Sequence, residues 1–127
     1  MSPVMKPGRT VVVIDDDLSV RRSLARLLRA SGFDVSTYAS AEAFLAGPAA
    51  GTSVCLVLDI HLGGMSGLEL ADCLDQQARS VPIVFISAQD GSLPAERCAR
   101  SGTIAFLCKP FDESVLIEAV CRALAVS

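Results

Sequence analysis

No stretch of this sequence stays apolar for long. The longest runs, such as Val81 to Ala88 and Val54 to Leu58, stop far short of the roughly 18 residues that a membrane-spanning helix needs. Met1 to Arg9 holds no apolar core of signal-peptide length, so the expected location is the cytoplasm and no membrane partner is expected. No basic patch is evident along a chain of net charge −3 and pI near 5.0, so nucleic acid is not an expected partner of these residues by themselves. No C-x-x-C pair occurs among the five cysteines, Cys55, Cys73, Cys98, Cys108 and Cys121. Their odd number, wide spacing and mostly apolar surroundings read as reduced, structural thiols rather than metal or redox sites. Lysine is scarce: Lys6 and Lys109 stand against nine arginines, and His61 is the single histidine.

What is present suits one globular domain. The 127 residues are 51% hydrophobic and 20% charged, enough to close one core but not two. Met1 to Arg9, with Pro3, Pro7 and Gly8, reads as a flexible leader, and residues 10–127 as the domain. Thr10 to Ile14 is a β-branched run, hence a buried strand. Val20, Leu24, Leu27 and Leu28 follow at helical spacing, with Asp17 as N-cap and Gly32 as the stop. Asp34 to Tyr38 reads as a second strand, Ala41 to Leu45 as a small helix, and Val54 to Leu58 as a central strand. Ser66 and Glu69 form a capping box before a helix carrying Leu70 and Leu74. Ile83 to Ile86 and Ile104 to Cys108 read as strands around a weakly amphipathic helix near Pro94 to Arg100. Asp112 caps a final helix with one apolar face. Five β-α units in succession imply an α/β fold: a doubly wound five-stranded parallel sheet of flavodoxin-like order 2-1-3-4-5, with helices on both faces. In such a sheet the site lies beyond the carboxyl ends of the first and third strands, where the order reverses.

Polar residues gather at those ends. Asp15 and Asp16 close the first strand and Asp59 the third, with no arginine close in sequence to neutralise them. Like charges so close are costly unless a cation is present, and a few carboxylates plus water suit Mg²⁺ best. The plainer alternative, that Asp15 to Asp17 only cap and charge the first helix, explains Asp17 and leaves Asp59 without a role. Ser87 closes the fourth strand and Lys109 the fifth. Either alone is an ordinary strand-end residue; beside three carboxylates, a hydroxyl and a point-charge ammonium describe phosphoryl chemistry. A strand-end aspartate is a competent nucleophile that forms an acyl phosphate. Pro110 is a candidate for a loop-fixing bond after Lys109.

The runs VVVIDDD, VCLVLDIHLGGMSGLEL, PIVFISA and IAFLCKPF resemble, in order and spacing, the landmarks of response-regulator receiver domains, from Thr10 to about Val126. The resemblance implies a signalling domain that catalyses its own phosphorylation and dephosphorylation rather than an enzyme with an external substrate. Asp59 is then phosphorylated from the phosphohistidine of a sensor histidine kinase. Asp16 and Asp59 ligate Mg²⁺ directly, with the backbone carbonyl of His61, while Asp15 acts through water. Ser87 and Lys109 hold the phosphoryl oxygens, and Phe106 is the aromatic switch that follows Ser87. His61 and Gln89 flank the path of attacking water and tune the lifetime, so His61 is expected to make phosphoryl loss depend on pH between roughly 6 and 8. The segments SVRRSL and SAEAFL look most like receivers that precede a LuxR-class helix-turn-helix domain, which implies transcriptional control, with a homodimer forming on phosphorylation.

Three departures stand out. Leu62-Gly63-Gly64 replaces the usual Met-Pro and is expected to loosen the loop after the third strand. Thr103 and Ala105 replace a commoner alanine and acidic residue at the switching surface. Other readings remain: a stand-alone receiver that signals by docking, a degenerate receiver serving only as an interaction module, or a phosphatase. The segment from Asp15 to Ser19 also resembles the nucleophile motif of haloacid-dehalogenase-type phosphatases, but that reading gives Asp59 no role.

Overall fold

The computed structural model describes residues 10–47, 55–77, 81–87, 103–109 and 111–126. The chain runs β1 (Thr10–Ile14), α1 (Leu18–Ala30), β2 (Asp34–Tyr38), α2 (Ala41–Ala46), β3 (Cys55–Asp59), α3 (Gly67–Gln76), β4 (Ile83–Ser87), β5 (Thr103–Cys108) and α4 (Glu113–Val126). The expected leader, the helix near Pro94 to Arg100, Gln89, Cys98 and Pro110 lie outside the described residues.

Local chemistry starts and stops these helices. The Asp17 carboxylate accepts from the amides of Ser19 at 2.9 Å and Val20 at 3.3 Å, satisfying donors that the first turn of α1 leaves open. Gly32 ends that helix at a φ of 97°, a backbone region that a Cβ disfavours. At α3, the Ser66 hydroxyl accepts from the Glu69 amide at 3.1 Å while the Glu69 carboxylate accepts from the Ser66 amide at 2.9 Å. That is the reciprocal capping box. Asp112 immediately precedes α4, and its carbonyl accepts from the amides of Val115 and Leu116.

All four strand pairings are parallel, and the order is β2-β1-β3-β4-β5. Side chains alternate across the sheet and build two cores. Val12, Ile14, Leu56, Leu58 and Phe85 meet Phe44 of α2 and Leu70 and Leu74 of α3 on one face. Val11, Val13, Val57, Val84 and Ile86 meet Leu24 and Leu28 of α1 and Leu116 and Val120 of α4 on the other. β1, β3 and β4 read as continuous apolar runs because both of their faces are covered. β1 has β2 on one side and β3 on the other, so the chain order reverses at β1 and β3 and a crevice opens beyond their carboxyl ends. No helix among the described residues is long and apolar enough to cross a membrane.

The cysteines differ from expectation. Of the four described, all free, Cys55 is buried, Cys73 is partly covered, and Cys108 and Cys121 are exposed. Burial pushes the Cys55 thiol up to about 12, as suits an inert core residue. Cys108 and Cys121 lie in apolar sequence, but on positions that face away from both cores.

Candidate functional site

Polar residues stand at or just past the carboxyl ends of four strands: Asp59 and Ser87 close β3 and β4, Asp15 follows β1 and Lys109 follows β5. Asp15 follows β1, and its amide still donates to the Tyr38 carbonyl at 3.2 Å, so the sheet itself holds it. Asp59 closes β3, and the next amide, that of Ile60, donates to the Ile86 carbonyl at 3.0 Å. The Lys109 amide donates to the Ser87 carbonyl at 2.7 Å, which ties the end of β5 to the end of β4. Asp15, Asp59 and Ser87 are the buried polar residues among those described, and all three belong to this one place.

The carboxylates of Asp15, Asp16 and Asp59 converge so that one oxygen of each lies within 4.8 Å of the others. Asp16 is exposed; the other two are buried. One Asp15 oxygen accepts from the Asp17 amide at 2.9 Å, and the other lies 3.5 Å from Lys109 Nζ. Asp59 Oδ1 accepts from the His61 amide at 2.9 Å. Burial raises the Asp59 carboxyl above its ordinary value, and the charges of Asp15 and Asp16 add to that; the His61 amide and the Lys109 charge oppose it. The pocket thus concentrates negative charge in a partly dry place, against one ammonium.

The structure places Asp15, Asp16, Asp59, Ser87 and Lys109 at the same edge of the sheet, with the backbone of His61 beside Asp59 and its side chain exposed. Phe106 lies half-buried on β5, stacked on Phe85 with ring centroids 4.8 Å apart and planes 16° apart. Gln89 lies outside the described residues.

Three residues escaped the sequence reading. Arg21, six residues beyond Asp15, turns back along α1 and donates from Nη1 to the Asp15 carbonyl at 2.9 Å, so a guanidinium does stand beside the acidic pair. It meets the main chain and leaves both Asp15 carboxylate oxygens to Asp17 and Lys109. Glu42 of α2 accepts from the Met65 amide at 3.0 Å, which holds the Glu42 carboxyl below its usual range. That bond ties down the Gly63-Gly64 loop, and Gly64 itself sits at a φ of 75°, where the turn requires glycine. One of the two glycines therefore shapes this loop rather than loosening it. Gly67, the first residue of α3, is the third: a Cβ there would come within 2.3 Å of the Asp59 carbonyl oxygen. The glycine after the capping serine was its only sequence signal.

Fold and site together define a doubly wound signalling-type domain with an acidic, lysine-facing pocket at its switch point. Residues 11–121 match the response regulator receiver domain, and the chain belongs to that family. It is 38% identical over 118 residues to the transcriptional regulatory protein TdiR of Thauera aromatica, covering 93% of this chain and 52% of that protein. It is 38% identical to the transcriptional regulatory protein FixJ of Rhizobium meliloti, covering 90% of this chain and 56% of that one. The chain thus spans about half the length of these relatives. Among solved structures, the response regulator StyR superimposes with a TM-score of 0.86 at 43% identity, over 92% of this chain and 59% of that one. The FixJ-N crystal structure gives 0.82 at 37% identity, over 91% and 93%.

Proposed function

We propose that Asp59 accepts a phosphoryl group from the phosphohistidine of a sensor histidine kinase, in a step that requires Mg²⁺. The observation that carries this reading is the convergence of three carboxylates within 4.8 Å at the switch point of a receiver-family sheet. The donors are hard oxygens facing more negative charge than Lys109 balances, which fits a small divalent ion. Asp16, Asp59 and the His61 carbonyl would hold it directly. Asp15 would act through water, because both of its carboxylate oxygens already have partners. When bound, Mg²⁺ neutralises charge on the phosphoryl oxygens. The His61 amide holds Asp59 Oδ1, which leaves Oδ2 to attack phosphorus. The O–P bond forms as the P–N bond to the kinase histidine breaks, and the leaving imidazole takes up a proton. Lys109 and the Ser87 hydroxyl receive the phosphoryl oxygens. The domain thus catalyses its own phosphorylation and its later hydrolysis.

Phosphorylation then biases Ser87 and Phe106 between two arrangements, and with them the surface that a partner or a second copy meets. His61 and Gln89 would tune the lifetime of the acyl phosphate. The relatives are about twice as long and are described as transcriptional regulators, which supports a LuxR-class output domain beyond this chain and a cytoplasmic role. The test is intact mass after incubation with acetyl phosphate. Wild type with Mg²⁺ should gain one phosphoryl group, and neither Asp59→Asn nor metal-stripped wild type should gain any. An adduct that persists in Asp59→Asn would overturn the assignment.

A further inference from the structure

α1 carries four arginines and no acidic residue, on a chain whose net charge is −3. Arg22 and Arg26 are spaced i,i+4, and Arg26 and Arg29 i,i+3, so like charges repel along one side of the helix. Arg22 and Arg26 have no carboxylate partner among the described residues. An anion seated on this face would relieve that repulsion.

The arginines also line a concavity rather than a flat stripe. Leu18, Arg21, Arg22, Arg26 and Arg29 of α1 and Thr37 of β2 surround a groove of about 470 Å³, within the roughly 300–1,000 Å³ usual for small-molecule sites. Two of the four guanidinium groups are held in advance. Arg21 is bonded to the Asp15 carbonyl at 2.9 Å and Arg29 to the Val35 carbonyl at 3.1 Å, one at each end of the arginine row. Both keep further N–H donors to offer, and fixing them beforehand lowers the ordering cost of binding. Net charge along the chain hides this patch, because the coiling of α1 brings its arginines together and only the packing of β2 closes them into a groove.

We propose that this groove is an anion-binding site, separate from the acidic pocket, for a small molecule carrying a chain of phosphate groups. Guanidinium forks match phosphate oxygens in pairs, and lysine, the point-charge alternative, is absent from the groove. The row from Arg21 to Arg29 spans about 12 Å at the helical rise, which lets several phosphates be met at once. Binding would cancel the repulsion within α1, so occupancy also stabilises the fold. The proposal does not depend on phosphorylation of Asp59.

Titration calorimetry in Mg²⁺-free buffer with inorganic tripolyphosphate and with ATP tests it. Both probes should bind wild type and raise its melting temperature. The double variant Arg22→Gln/Arg26→Gln should weaken both at least tenfold, while Arg122→Gln on α4 should change neither by more than twofold. The two substitutions lie on exposed helix positions and remove a repulsion, so the variant should melt no lower than wild type. Tighter binding of ATP would identify a nucleotide as the source, and equal binding an inorganic polyphosphate. Amide resonances of α1 and Thr37 should shift on titration. Shifts centred instead on Asp59 and Lys109, no binding at millimolar probe, or tighter binding of a polyglutamate peptide or duplex DNA than of either probe would overturn the proposal.

Discussion

Asp59 is costly to keep charged, and that cost is measurable. Its carboxyl is raised by burial and by the neighbouring Asp15 and Asp16, so the folded chain holds the proton to higher pH than the unfolded chain does. Below the ordinary carboxyl value of 3.8 both states are protonated and the site costs nothing. As pH rises through the folded value, charge forms in the pocket and stability is lost; above it the loss is complete. Asp59→Asn removes the charge and keeps an acceptor for the His61 amide. In Mg²⁺-free buffer this variant should melt above wild type at pH 7, with the gap closing as pH falls toward 3.8. Saturating Mg²⁺ should reverse the order, because the ion stabilises the carboxylate form only. A gap that does not change between acid and neutral pH would show that the charge is not its cause.

The junction between β3 and α3 leaves no room for a side chain at Gly67. The Gly67 amide donates to the Ile60 carbonyl at 3.0 Å, and a Cβ at Gly67 would meet the Asp59 carbonyl oxygen at 2.3 Å and Ile60 Cα at 3.0 Å. Those are backbone atoms, which cannot swing aside as a side chain can. Gly67→Ala must therefore push α3 off the end of β3, at a cost of about 1–3 kcal/mol, the usual range for overpacking. The backbone it would press against is that of Asp59 and Ile60, next to the His61 amide that holds Asp59 Oδ1, so acetyl phosphate labelling should slow as well. Thermal melts and labelling rates check the two effects together. An unchanged labelling rate in a destabilised protein would mean that Gly67 serves packing alone.

Over the whole molecule, the crevice side and the far side of the sheet should respond differently to phosphoryl chemistry. β3 and β4 are buried along their full length, and the ends of β4 and β5 are tied through Ser87 and Lys109, so a change at the pocket travels along strand ends and not through the cores. Hydrogen exchange with and without beryllofluoride and Mg²⁺ should differ most in residues 59–66, at Ser87 and around Phe106. The turns of α1 and α4 that bury Leu28 and Ala123 should change little. Uniform protection across all helices would mean simple global stabilisation, and the two-arrangement switch would fail.

Much of this protein was legible without coordinates, for a local reason. Strand runs, helix periodicity, the Asp17 cap, the Gly32 stop and the Ser66–Glu69 box depend on residues within a turn or two of one another. A parallel order then places every strand-end residue on one side, so Asp15, Asp16, Asp59, Ser87 and Lys109 could be gathered from spacing alone. Only the tertiary structure decided what meets across elements. The bond from Glu42 to the Met65 amide joins residues 23 apart. The close approach of Gly67 to β3, the turn of Arg21 onto the Asp15 carbonyl and the arginine groove between α1 and β2 are of the same kind. So is the exposure of Cys108 and Cys121. Each depends on distances of a few ångströms between packed elements, and those are set by how side chains fill the space between helix and sheet rather than by any pattern along the chain.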